Sequence, residues 1–152
     1  MGGMYDERLT VPRSWWLLPL VTGLSLGLVL LRFSGLGALI GLVVGIAAGA
    51  AALSSYGSAR IRVVQGSLVA GQARIPVDAL GTAEVLNPAE AVAWRGVKAD
   101  PRAFMLLRSY VPTALRVEVT DPSDPTPYLY LSTRSPQKLA DALQGARRAA
   151  QR

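Results

Sequence analysis

The chain contains no histidine and no cysteine. Their absence removes the Ser-His-Asp and Cys-His arrangements that activate a nucleophile, together with the ligand sets of ordinary zinc sites. A domain without cysteine also needs no disulfide framework, which agrees with work in the reducing cytosol. No GxxxxGK[ST] loop is present, so the glycines of the chain lack a phosphate-cradling context. Charge is missing over a long stretch as well. From Trp15 to Leu53 the one ionisable residue is Arg32. Proton relays and ion or substrate pathways in membranes ordinarily need buried ionisable side chains, and two helices enclose no pathway. A channel or transporter acting alone is therefore not expected, no cofactor is expected, and nothing pairs the remaining Asp, Glu, Tyr and Arg into an enzyme site.

What the chain does have is apolar length. The run on each side of Arg32 is close to the length that crosses a hydrocarbon core. After Arg60 charges return every few residues. The expected layout is a cytosolic N-terminal segment (1–14), two transmembrane helices (15–31 and 35–55) and a cytosolic β-rich domain (60–149). A cleaved signal peptide does not fit, because Asp6 and Glu7 precede the first run and no small-residue cleavage pattern follows before Arg32. A soluble buried hairpin does not fit either, since so short a chain has too little protein to cover two wholly apolar helices.

Basic residues set the orientation. Arg8, Arg13, Arg60 and Arg62 flank the outer ends of the spans, while the connecting turn carries Arg32 alone. The positive-inside rule then places the protein in the cell membrane as a two-span chain with both ends cytoplasmic, and Trp15, Trp16 and Tyr56 at the inner interface. The formal charge of +6 and isoelectric point near 10.3 suit the anionic inner leaflet as partner. Nucleic acid is not expected for so small a tethered domain.

Gly37, Gly41, Gly45 and Gly49 repeat every fourth residue in the second span, and Gly23 and Gly27 form a shorter pair in the first. In water such a ladder would weaken a helix by about 1 kcal/mol per glycine. In lipid it is a seam that lets a second helix backbone approach. Counted outward from a turn at Ser34, Gly27 matches Gly41 and Gly23 matches Gly45 in depth. Closure of the hairpin on itself is the first expectation, with Gly37 and Gly49 left over for a homo-oligomer or a membrane-protein partner.

In the soluble part, Ile61–Val64, Ser67–Ala70, Ala73–Val77 and Thr82–Leu86 read as short strands separated by turn residues. Asn87-Pro88-Ala89-Glu90 is a helix start, with an Asn cap, Pro at the first position and an acid at the third. Leu115 to Thr120 alternates, placing Leu115, Val117 and Val119 inward and Arg116, Glu118 and Thr120 outward. A proline-rich connection leads to the strand Tyr128–Ser132. Ser135-Pro136 opens a final helix with the apolar stripe Leu139, Leu143 and Ala146. The fold class is thus a membrane helical hairpin plus an α+β domain, an antiparallel sheet or partial barrel closed by a C-terminal helix.

Tyr5-Asp6-Glu7-Arg8-Leu9 before Pro12 and Trp15-Trp16, followed by two spans, resembles DUF3093, an actinobacterial family of two-span membrane proteins of unknown function. Ala99-Asp100-Pro101-Arg102-Ala103-Phe104, Arg116 through Pro122, and Pro127-Tyr128 with Ser132-Thr133-Arg134 fit the same pattern. That resemblance implies no activity. The succession of strands and a closing helix is also similar to bacterial pleckstrin-homology-like domains, a likeness of architecture alone.

Candidate contacts for a headgroup or a partner are Arg60, Arg62, Arg74, Asp100 and Arg102. Asp100-Pro101-Arg102 serves equally as a locally paired turn. Asp121 and Asp124 beside Pro122 and Pro125 read as turn residues. Arg95, Lys98, Arg102 and Arg108 form a basic run around Trp94, with solvated strand edges as the plain account. Tyr128 and Tyr130 share a strand face that is core or, alternatively, a peptide-holding surface. Two functions stand ahead of catalysis: a membrane-anchored interaction module or accessory subunit that docks a protein partner, and a module that senses anionic lipid.

Overall fold

The computed structural model describes residues 4–152. Residues 1–3 of the expected N-terminal segment lie outside the described residues. The chain forms two compact units, Thr10–Ala59 and a second made of the residues up to Leu9 together with Arg60–Arg152.

The first unit is a helical hairpin. A 3-10 turn, Arg13–Trp16, runs into helix α1 (Leu17–Leu31), and helix α2 (Gly35–Tyr56) returns. The stretches Arg13–Leu31 and Gly35–Tyr56, of 19 and 22 residues, are both long and apolar enough to cross a membrane. Pro19 enters α1 in its first turn, where leading amides have no helical acceptor. Ser34 caps α2 by accepting a hydrogen bond from the Gly37 amide at 2.9 Å. The hydroxyls of Thr22 and Ser25 donate to the carbonyls of Leu18 and Val21, so neither asks for water. At the open end the rings of Trp15 and Tyr56 stack with centroids 6.4 Å apart.

The buried residues of the hairpin are almost all small. Pro19, Gly23 and Gly27 of α1 face Gly41, Gly45 and Leu53 of α2 from within the pair. A Cβ on Gly45 would lie 2.6 Å from the Cα of Gly23, and one on Gly23 would lie 2.7 Å from the Leu42 carbonyl oxygen. Gly41 approaches the Leu26 carbonyl and Gly27 the Ala38 carbonyl, at 3.0 and 3.1 Å from where a Cβ would stand. These are backbone atoms that cannot rotate away. Gly37 and Gly49, left over in the depth match, also have neighbours inside the hairpin. Gly49 is closed over by Pro19, whose Cα would lie 2.9 Å from an added Cβ, and Gly37 is occupied by its own Ser34 cap and Leu30.

The second unit is α+β, with two four-stranded sheets. In sheet A, strands β1 (Tyr5–Arg8), β2 (Arg60–Val64), β3 (Ser67–Ala70) and β4 (Ala73–Pro76) pair in sequence order, all antiparallel. Gln65 and Gly66 both take positive φ (48° and 69°), the two-residue geometry that matches strand twist in a tight hairpin. In sheet B the order is β5 (Leu80–Leu86), β7 (Ala114–Val119), β8 (Tyr128–Ser132), β6 (Phe104–Leu106). β6 runs parallel to β8, so the sheet is not wholly antiparallel. Neither sheet closes into a barrel among the described residues, which corrects the partial-barrel expectation. Pro76 and the 3-10 turn Val77–Ala79 end the first ladder, because proline brings no amide to continue it, and β5 begins a new sheet.

Helix α3 (Pro88–Arg95) covers one face of sheet B. Its start is a complete capping box: the Asn87 side chain accepts from the Glu90 amide, and the Glu90 carboxylate accepts from the Asn87 amide, both at 2.9 Å. Its buried Ala91 packs with Leu86, Ala114, Tyr128 and Tyr130. Both tyrosines are therefore core, and the Tyr130 hydroxyl donates to the Ala91 carbonyl at 3.2 Å. Helix α4 (Pro136–Ala150) buries Leu139, Ala140 and Leu143 and touches β1 and β2 of sheet A as well as β5 and β7 of sheet B. Ser135 makes no side-chain cap to α4. Arg147, in the last turn of α4, donates to the carbonyls of Leu80 and Gly81.

Replacing Gly45 by Ala should weaken the hairpin by about 1–3 kcal/mol, because the added methyl meets fixed backbone. Gly35→Ala, with nothing within 4 Å of its Cβ position, should change stability by less than about 0.5 kcal/mol. Denaturation of the full chain in mild detergent checks both; equal effects would contradict the seam.

Candidate functional site

The register of sheet A decides what its two faces carry. Ile61, Val63, Leu68 and Ala70 are buried and line the inner face. Their neighbours point the other way, since successive strand residues alternate. Arg8 stands directly opposite Arg60, Asp6 opposite Arg62, Arg62 opposite Val69, and Val69 opposite Arg74. The outer face thus gathers Arg8, Arg60, Arg62 and Arg74 around the single acid Asp6. Arg8, Arg60, Arg74 and Asp6 are exposed and Arg62 is half-buried. None of the four arginines has an ion-pair partner among the described residues, whereas Arg102 and Arg116 do. The buried Nε of Arg62 has no hydrogen-bond acceptor there. Like charges directly across a ladder, as Arg8 and Arg60 are, cost roughly 0.2–1 kcal/mol.

Asp100 and Arg102 sit elsewhere, in the loop between α3 and β6. The Asp100 carboxylate accepts the Arg102 amide at 2.9 Å and its guanidinium at 3.2 and 3.0 Å. The hydrogen bond from the Arg102 side chain, followed by that from its amide, holds the Asp100 carboxyl below its ordinary range. The Asp100 amide in turn donates to the Tyr128 hydroxyl at 2.9 Å. This is a locally satisfied turn, and the structure does not join it to the arginines of sheet A. The other loop acids are committed in the same way. Asp121 accepts from the amide and hydroxyl of Ser123, and Asp124 from the Thr126 amide. No cluster of three or more metal-ligating side chains occurs among the described residues.

Two clusters escaped sequence reasoning. The first ties β1 to the far end of the chain. The Glu7 carboxylate accepts from the Tyr5 hydroxyl at 2.7 Å, from the Thr133 hydroxyl on the same oxygen, and from the Arg134 amide at 2.9 Å. The Tyr110 hydroxyl adds a bond to the Leu9 carbonyl at 2.7 Å. Burial, reinforced by the Glu7 bond and charge against the opposing Thr133 bond, pushes the Tyr5 hydroxyl from 10.0 up to about 12. In the second cluster Arg116, expected to face water, lies 4.3 Å above the Trp94 ring and 5.1 Å from that of Tyr128. It also pairs with Glu84 and Glu118 at 3.2 and 3.5 Å. Alternation placed Arg116 opposite the aliphatic face correctly; α3, which carries Trp94, then covers that second face too.

The DUF3093 family model, described as a protein of unknown function, matches residues 4–143. The chain belongs to the DUF3093 family. The match takes in β1, the hairpin, both sheets and most of α4, so the DUF3093 unit is the hairpin and the α+β unit together. No curated protein and no solved structure matches the chain.

The Glu7 knot predicts an alkaline limb. The unfolded chain releases the Tyr5 proton near pH 10 and the folded chain near 12, so stability present below pH 10 is lost as pH rises through 12. Tyr5→Phe should flatten that limb in denaturant titrations, leaving the share from Tyr130, whose hydroxyl burial also raises. Glu7→Gln should cost about 1–3 kcal/mol at neutral pH. An unchanged limb in Tyr5→Phe would contradict the assignment.

Proposed function

We propose that this protein is a membrane-anchored interaction module, without chemistry of its own, that holds its α+β unit at the cytoplasmic face of the cell membrane to dock a protein partner. The observation that carries this reading is the place of the hairpin in the chain. It is inserted between β1 and β2, which are hydrogen-bonded neighbours with Arg8 opposite Arg60. The unit is fastened to its anchor by two paired strands, and pairing of the two flanks favours their lying on one side of the bilayer. Arg8, Arg13, Arg60 and Arg62 on those flanks favour the cytoplasmic side. Few residues of either apolar stretch are buried by protein, which speaks for lipid rather than for a soluble core around these helices.

The commitment of Glu84, Glu90, Asp100, Glu118, Asp121 and Asp124 to caps, turns and ion pairs supports a binding role over a catalytic one. The surface offered to a partner is best sought on α3 and the turn behind it. There Val92 is 54 % and Val97 94 % exposed, while the opposite side of α3 rests on sheet B. Val92 and Val97 are the apolar side chains that a partner docked on this side would cover.

A photo-crosslinking residue at Val97 in the full chain, expressed in its own membrane, tests the reading. The expected result is one discrete adduct with a protein that also co-purifies in stoichiometric amount after mild detergent extraction. Recovery of the chain alone, without an adduct, would contradict the docking role.

A further inference from the structure

From the outer face of sheet A we infer a second binding surface: Arg8, Arg60, Arg62 and Arg74 form a platform for the anionic phospholipid headgroups of the bilayer that holds the hairpin. The inference rests on the membrane-anchored part of the proposed function and is independent of any protein partner.

The register brings these four side chains to one face although they come from three strands. The face is single-signed except for Asp6, and its guanidinium groups are left without carboxylates, whereas Arg116 and Arg102 elsewhere in the same unit are paired. The Nε of Arg62 is out of water and lacks an acceptor. Planar forks that present several donors match the oxygens of a phosphodiester. The chain itself keeps the source close. Only Gly57, Ser58 and Ala59 separate the end of α2 from Arg60, and the stacked Trp15 and Tyr56 mark the interfacial end of the hairpin. Arginines this near a span meet a surface of negative potential that fades within about 8 Å in physiological salt. Arg74 is distant from the spans in sequence, and only the sheet register carries it into the row; an ordinary positive flank would not include it.

The absence of cysteine makes the test clean. Val69→Cys places the only thiol of the full chain between Arg62 and Arg74, and Gln144→Cys on the exposed side of α4 serves as control. Each is labelled with an environment-sensitive fluorophore and placed in nanodiscs of phosphatidylcholine alone or mixed with phosphatidylglycerol. The expected result is several-fold lower quenching by neutral acrylamide at Val69 in the anionic discs only, reversed by high salt, with no change at Gln144. Arg62→Glu with Arg74→Glu should abolish the protection, and the paired Lys substitutions should largely keep it. Arg74→Glu alone, at an exposed position, should give a partial loss and keeps the test decisive if the double variant does not fold. Equal quenching in both lipids, protection unaffected by charge reversal, or protection that needs added nucleic acid instead of anionic lipid would each overturn the inference. Failure of the chain to enter nanodiscs at all would instead refute the anchored reading beneath it.

Discussion

The structure depends on a strand pair whose members are far apart in sequence. Tyr5–Arg8 and Arg60–Val64 form adjacent rungs of one ladder, and everything between them is the hairpin. A connection of that length costs closure entropy, though the cost grows only logarithmically. The hairpin reduces it further by bringing its own ends together, as the stacking of Trp15 on Tyr56 shows. Each unit thus asks independently for what the other supplies, two chain ends lying side by side. The Glu7 knot and the Tyr110 bond to Leu9 secure β1 from the opposite end of the chain, so the first strand is held by more than one neighbour.

Within the hairpin the deciding term is contact distance. Lipid tails are as apolar as leucine, so side-chain hydrophobicity does not drive two spans together; dispersion between closely packed backbones does. Gly23 against Gly45, and Pro19 against Gly49, bring main chains nearer than any Cβ would allow. Most of the leucines point outward, where a bilayer would take them at no loss. In the α+β unit the balance is the usual one, with Leu115, Leu129, Leu131, Leu139 and Leu143 fully buried around α4.

Much of this was legible because period and turn chemistry carry it. The spans, the depth match of Gly23 with Gly45, the β2–β3 turn at Gln65-Gly66, the Asn87 capping box and the β7–β8 pair all leave local signatures. Strand β1 leaves none: Tyr5-Asp6-Glu7-Arg8 is polar on both faces, and its inner face is filled by a tyrosine and a hydrogen-bonded carboxylate in place of aliphatic side chains. The three-residue β6 is too short to show a period. Arg74 was visible as a candidate but not its company, because a shared sheet face follows from register and not from spacing along one strand. Arg116 was misjudged for a related reason, since alternation says which residues share a face and not whether a helix covers it. The two-sheet division turns on Pro76, whose missing amide is plain in the sequence only once the ladder it interrupts is known.

The most direct measurement removes the hairpin. Replacing Thr10–Ser58 by Asn-Gly would leave Leu9 and Ala59 facing across a two-residue turn of the kind that joins antiparallel strands. If β1 and β2 are neighbours in one sheet, the shortened chain should be soluble without detergent and unfold in a single cooperative transition, with the Tyr5 alkaline limb retained. An insoluble chain, or one that unfolds without cooperativity while the full chain in detergent remains folded, would contradict the inserted-hairpin architecture.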